Sequence, residues 1–211
     1  MNFEQLGITG LWRPAKTASG GLLVMLHGRG DSAAGLVDLH EELAPPGVSS
    51  LFLNAPDSYY GGYSWYDLPP DQGPGIMRSR VLLDHVFDGL ARQGYPPESC
   101  VLFGFSQGCL MTLEFGARYA HKLAGYVGVS GYCYDEKILS KEVPPEIMKA
   151  NWLVTHGTAD DVLPVEHTRA QMKALKAAGF NIDYREYAKG HTIDQRSELP
   201  YLKEWLAARF R

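Results

Sequence analysis

The segment from Cys100 to Ala120, CVLFGFSQGCLMTLEFGARYA, constrains the fold more than any other part of the chain. An apolar run enters Gly104-Phe105-Ser106-Gln107-Gly108, and a helical pattern leaves it. G-x-S-x-G in that setting predicts a strand, a very tight turn and a helix. The turn leaves no room for side chains two positions before and after the serine, and Gly104 and Gly108 meet that demand. The Ser106 hydroxyl then stands exposed at the C-terminal edge of a sheet, facing the positive end of the helix. Without the flanking strand and helix the motif is weak, and Ser106 reads as a helix cap.

The remaining chain repeats this alternation. Leu22–His27, Val48–Asn54, Cys100–Phe105, Gly125–Ser130, Asn151–His156 and Ile182–Tyr187 read as strands, most of them apolar almost throughout. Such runs fit parallel strands covered on both faces. Helical patterns cover Asp31–Ala44, Gly75–Gln93, Gln107–Ala120, Pro164–Ala178 and Pro200–Arg211. Alternating strands and helices imply an α/β fold, with a mostly parallel central sheet flanked by helices. The 211 residues, 45% hydrophobic, suit one domain over 1–211, and no compositional break suggests a second. The segment Ala55–Gly75, rich in Pro, Gly and aromatics, fits neither period and reads as a long loop, either a functional wall or a self-packed surface.

Charge and cysteine content narrow the function. A net charge of −4 with scattered basic residues gives no footprint for nucleic acid or anionic lipid. The apolar runs are too short to span a bilayer, and the first residues do not read as a signal peptide. Cys100, Cys109 and Cys133 are odd in number and irregularly spaced, which fits buried thiols in a cytoplasmic protein rather than a disulfide or zinc framework. No metal and no cofactor is expected.

A serine hydroxyl needs a base, and the base needs a carboxylate to fix its tautomer. In strand–serine–helix enzymes of this type the order is Ser, then Asp or Glu, then His. After Ser106, one strand ends at His156-Gly157 before a loop carrying Asp160 and Asp161. The next ends at Tyr187 before Gly190-His191. Both loops fall beyond strand C-termini, where open α/β sheets place their sites. His191 therefore reads as the base. His27, His40, His85, His121, His156 and His167 sit at strand ends or within or beside helical patterns, and read as structural. The developing oxyanion needs two donors. The backbone N–H of Gln107 supplies one, and the LHGRGDS loop supplies the other through Arg29, flanked by Gly28 and Gly30.

Together these pieces resemble the phospholipase/carboxylesterase family of small α/β-hydrolases, which includes bacterial carboxylesterases and acyl-protein thioesterases. The resemblance spans almost the whole chain and rests on LHGRGD at 26–31, NAPD at 54–57, SWYD at 64–67, GFSQG at 104–108, HGTADDVLP at 156–164 and GH at 190–191. It implies an α/β-hydrolase fold without a large cap domain. It also implies Ser106 as nucleophile, Asp160 as acid, His191 as base, and the N–H groups of Arg29 and Gln107 as oxyanion donors. Asp161 is then expected to cap the helix that follows. Trp65 is expected near the substrate groove, with Tyr63, Leu68, Ile76 and Met77 supplying further apolar surface. Two positions depart from the family pattern: Arg29 stands where thioesterases of this group commonly have Leu, and Asp161 follows the acid where Pro is common.

The expected reaction is hydrolysis of short to medium acyl esters, with no nucleic acid or membrane-spanning partner. A thioesterase or lysophospholipase would use the same residues with a longer groove. A dienelactone-hydrolase-like enzyme would favour a cysteine nucleophile. A binding module on a hydrolase scaffold would normally have lost part of the triad. The aromatics of 55–75 suit either a substrate wall or a homodimer contact.

Overall fold

A computed structural model describes residues 1–17 and 20–210. Its central sheet contains β1 (Gly10–Arg13), β2 (Leu22–Leu26), β3 (Ser49–Leu53), β6 (Cys100–Phe105), β7 (Gly125–Val129), β8 (Trp152–Gly157) and β9 (Ile182–Tyr187), with β4 (Asp57–Tyr59) and β5 (Gly62–Ser64) forming a separate hairpin. The spatial order is β1-β3-β2-β6-β7-β8-β9. All neighbours are parallel except β1, which runs antiparallel to β3.

The apolar runs are two-sided because both faces are covered. Leu22, Val24 and Leu26 point into one core with α3 (Gln72–Arg92), α4 (Gln107–Gly116) and α7 (Val165–Ala177). Leu23 and Met25 point into the other, with α2 (Val37–Leu43) and α8 (Glu198–Ala207). The chain moves outward from β2 in both directions, to β3 on one side and β6 on the other. The loops after β2 and β6 therefore meet at the C-terminal edge of the sheet, at a topological switch point.

The expected strands and helices form, with shifted ends. The segment expected to be helical from Asp31 begins as a 3-10 turn, Ala33–Leu36, before α2. The last helix starts two residues early, at Glu198, because the Asp194 carboxylate accepts the N–H groups of Ser197 and Glu198. Part of the long loop at 55–75 is ordered as the β4–β5 hairpin, whose Tyr60-Gly61 turn has φ of 44° and 88°. Two left-handed residues suit the twist of a two-residue hairpin. Also unanticipated are β1, α1 (Phe3–Leu6), α5 (Glu136–Glu142), α6 (Pro145–Met148) and a 3-10 turn at Pro97–Ser99.

Candidate active site

β6 runs straight into Ser106, which adopts φ 53° and ψ −112°, and α4 starts at the next residue. A positive φ is strained for serine. The Ser106 N–H donates to Val129 O at 2.9 Å, anchoring the turn to β7. A Cβ at position 104 would run into Gly108 O, and one at 108 into Leu26 O. The two glycines are what allow the strand and helix to approach this closely.

Ser106, His191 and Asp160 converge from three separate loops. Ser106 Oγ donates to His191 Nε2 at 2.9 Å, and His191 Nδ1 donates to Asp160 Oδ2 at 2.8 Å. The carboxylate only accepts, so the proton of the neutral imidazole sits on Nδ1 and Nε2 is left to accept from serine. Burial pushes the Asp160 carboxyl upward, but the Leu163 N–H, the hydrogen bond and charge of His191 and the Val162 N–H outweigh it. The net result is a value below the ordinary carboxylate range, and Asp160 is ionised near neutrality.

Asp160 Oδ1 accepts the N–H groups of Val162 and Leu163 at 3.0 and 2.8 Å. This corrects the expectation for its neighbour. Asp161 is exposed, and α7 has Pro164 at its N-cap position with no side-chain cap. One oxygen of Asp160 orders the turn ahead of α7 while the other holds the imidazole, leaving Asp161 without the capping role. His156, at the end of β8, is fully buried and its Nε2 lies 2.8 Å from Leu163 O, tying the same loop from beneath.

The loop after β2 lies against the serine. A Cβ at Gly28 would stand 3.3 Å from Ser106 Cβ, so the backbone before Arg29 comes within contact distance of the turn. Among the described residues, no hydrogen bond within the protein uses the N–H of Arg29 or of Gln107. Three devices fix this loop. The buried His27 ring accepts from Ala55 N at 3.1 Å through Nε2 and donates to Gly28 O at 2.6 Å through Nδ1. Burial lowers its pKa, which favours this neutral form. Gly30 N–H donates to Tyr63 O at 2.8 Å, and Tyr63 N–H donates to Asp31 O at 2.9 Å, so the hairpin clasps the loop. The Arg29 guanidinium lies 4.2 Å from the centroid of the Tyr59 ring on that hairpin.

The Gln107 side chain has a role the motif did not reveal. Its Oε1 accepts from Trp65 N at 2.9 Å and Ser64 Oγ at 3.2 Å, and its Nε2 donates to Tyr66 O at 2.7 Å. The residue beside the serine thereby holds the backbone of the Ser64-Trp65-Tyr66 segment. Trp65 is fully buried, with Nε1 donating to His27 O at 3.0 Å, and Ile76 is 2% exposed. Neither presents surface to a ligand: both are in the core beneath the site rather than on a groove wall. Tyr63 is half-buried, whereas Leu68 and Met77 are 52% and 62% exposed.

Among the described residues no group of three or more His, Cys, Asp or Glu side chains could hold a metal ion, and no helix is long and apolar enough to cross a membrane. Cys109, directly behind the turn, is fully buried and burial pushes its thiol up to about 12, which makes it a packing residue rather than a nucleophile.

Residues 13–208 match the family model described as Phospholipase/Carboxylesterase. The chain belongs to the phospholipase/carboxylesterase family. Acyl-protein thioesterase 1 of Yarrowia lipolytica is 31% identical over 194 residues, covering 82% of this chain and 85% of the relative. Carboxylesterase SOBER1 of Arabidopsis thaliana is 28% identical over 207 residues, covering 90% of each chain. The crystal structure of esterase PE8 superposes with a TM-score of 0.86 at 29% identity, covering 95% of this chain and 98% of that one. The chain has the α/β-hydrolase fold, a mostly parallel central sheet flanked by helices.

Proposed function

We propose that this chain, as one α/β-hydrolase domain over 1–211, hydrolyses carboxylic esters of short to medium acyl chains through Ser106, His191 and Asp160. The observation that carries this reading is the continuous hydrogen-bond chain from Ser106 Oγ through the imidazole to Asp160. Names borne by its relatives, carboxylesterase and acyl-protein thioesterase, support the substrate class.

In this reading Ser106 Oγ attacks the ester carbonyl while His191 Nε2 takes its proton. The Arg29 and Gln107 N–H groups face the negative oxygen of the tetrahedral intermediate, each donor worth about 3–4 kcal/mol in well-studied cases. The intermediate collapses to an acyl-serine, and His191 returns the proton to the departing alcohol. Water then attacks the acyl-serine by the same route and frees the acid. Asp160 keeps the imidazole in its Nδ1–H tautomer and stabilises the imidazolium. The exposed Leu68 and Met77 and the half-buried Tyr63 form the apolar rim that receives the acyl chain. Three free, buried cysteines fit a cytoplasmic location.

A thioester substrate requires no different residue, and the acyl-protein thioesterase relatives favour it as the second reading. The test is a panel of p-nitrophenyl esters graded by chain length, run beside acyl thioesters, with Ser106→Ala as control. Turnover that falls by a factor on the order of 10⁴–10⁶ in a folded Ser106→Ala variant supports the mechanism. Near wild-type turnover in that variant overturns it.

A further inference from the structure

Directly behind the His191 loop lies an ion pair that the proposed reaction does not use. Lys189 is 6% exposed and Glu198 is fully buried. The ammonium donates to Glu198 Oε1 at 2.7 Å, Thr192 O at 2.6 Å and Ser130 Oγ at 3.1 Å. Its three protons thus reach three elements: the first turn of α8, the backbone just past His191, and the end of β7. The backbone of the same residue joins a fourth, because Lys189 O accepts Ala159 N–H at 3.0 Å from the loop that carries Asp160. Glu198 is engaged on its other side, with Oε2 accepting Asp194 N–H at 2.9 Å.

A buried ion pair is weak evidence for stability, because desolvating both charges offsets most of their attraction. A well-packed apolar pair would serve the core as well. What an apolar pair cannot do is grip the Thr192 carbonyl, and the chain there needs gripping. Residues 188–197 form no regular element. Among the described residues, no hydrogen bond within the protein uses the backbone N–H or carbonyl of His191 itself. The segment is held on either side, by Lys189 N–H to Tyr187 O at 2.8 Å, Thr192 N–H to Gly190 O at 2.9 Å, and the ammonium on Thr192 O.

We propose that Lys189 is a positioning residue for the proposed hydrolysis: its ammonium, balanced by Glu198, locks the His191 loop to β7 and α8 and so sets the imidazole between Ser106 and Asp160. Ser130 contributes to the lock. It sits at φ 51°, a conformation rare for serine, where its hydroxyl accepts from the ammonium and faces Thr192 O at 3.4 Å. The inference rests on the functional reading given above. It concerns turnover rather than binding, since these atoms lie beneath the loop. A misplacement of the reacting group of about 1 Å costs on the order of 100-fold in rate.

The variant that tests this is Lys189→Met with Glu198→Gln. It removes both charges together, keeps an acceptor for Asp194 N–H, and leaves no unpaired buried ion. With Tm close to wild type, kcat is expected to fall about 10- to 100-fold with KM within about twofold. A merely structural pair would move Tm and leave kcat of the folded enzyme alone. Wild-type kcat in the folded double variant overturns the proposal. If that variant does not fold, Ser130→Gly removes one contact of the ammonium while tolerating the positive φ. It is expected to lower kcat about three- to tenfold at constant KM, and an unchanged kcat overturns the proposal equally. A wild type that turns over no ester defeats the functional reading itself, whereas an active wild type matched by its variants defeats only the role of Lys189.

Discussion

Replacing Asp160 by Asn exchanges one carboxylate oxygen for an NH₂ group and should remove almost all activity, for a reason visible in its hydrogen bonds. Oδ1 accepts two backbone N–H groups, from Val162 and Leu163, and Oδ2 accepts from His191 Nδ1. An asparagine has one accepting oxygen and one donating NH₂. Turning the NH₂ toward Val162 and Leu163 sets donor against two donors and leaves both N–H groups without a partner. Each unpaired buried group costs about 1–3 kcal/mol, so the amide places its oxygen there and its NH₂ toward His191. The imidazole must then present Nδ1 as acceptor and carry its proton on Nε2. Nε2 can no longer take the proton of Ser106, although the shape of the site is retained. A wrong tautomer in a serine–histidine–aspartate site costs about 10⁴ in kcat. Asp161→Asn alters an exposed side chain and should leave kcat within about twofold. Steady-state hydrolysis of a p-nitrophenyl ester by both purified variants, with circular dichroism to verify folding, measures the pair. Asp160→Asn retaining a tenth or more of wild-type kcat, or Asp161→Asn losing most of it, would refute the reasoning.

The burial of Trp65 reverses an expectation about chain length. Trp65→Ala should cost about 3–5 kcal/mol of stability, seen as a lowered urea midpoint, and should affect acetyl and octanoyl esters alike in whatever enzyme remains folded. A selective loss on long esters would return Trp65 to the groove. Leu68→Ser with Met77→Ser should behave in the opposite way: unfolding is almost unmoved, while kcat/KM falls more for octanoyl than for acetyl esters. An equal effect at both chain lengths would remove these two residues from the acyl rim.

Which parts of the molecule were readable from the residues follows from how each part is stabilised. Cys100–Phe105 and Ile182–Tyr187 form strands with the expected boundaries. The first lies in the interior of the sheet and announces itself as a short apolar run, whereas the second is the edge strand β9, where apolar and aromatic residues mix with charged ones. The Ser106 turn was legible because its sterics demand two glycines at fixed offsets. β1 was not, since a four-residue edge strand with alternating exposure carries too little pattern to distinguish from a loop. The β4–β5 hairpin hid for a related reason: its turn is Tyr60-Gly61 rather than the Asn-Gly or Asp-Gly pair that marks such turns. The double duty of Asp160 was invisible because sequence order gives neighbours, not directions. The same holds for the Gln107 side chain, and for Lys189 and Glu198, which meet across a loop with no periodicity to signal it. Ala18, Ser19 and Arg211 lie outside the described residues, so the last residue of the helix expected over Pro200–Arg211 has no structural description.

The most direct test of the account is the site of covalent modification. Intact mass and peptide mapping after treatment with a fluorophosphonate should show one adduct per chain, on the peptide containing Ser106. The adduct should be absent in Ser106→Ala and formed far more slowly in Asp160→Asn. An adduct on any other residue, or none in a protein that hydrolyses esters, would contradict the central claim that Ser106 is the nucleophile and His191 its base.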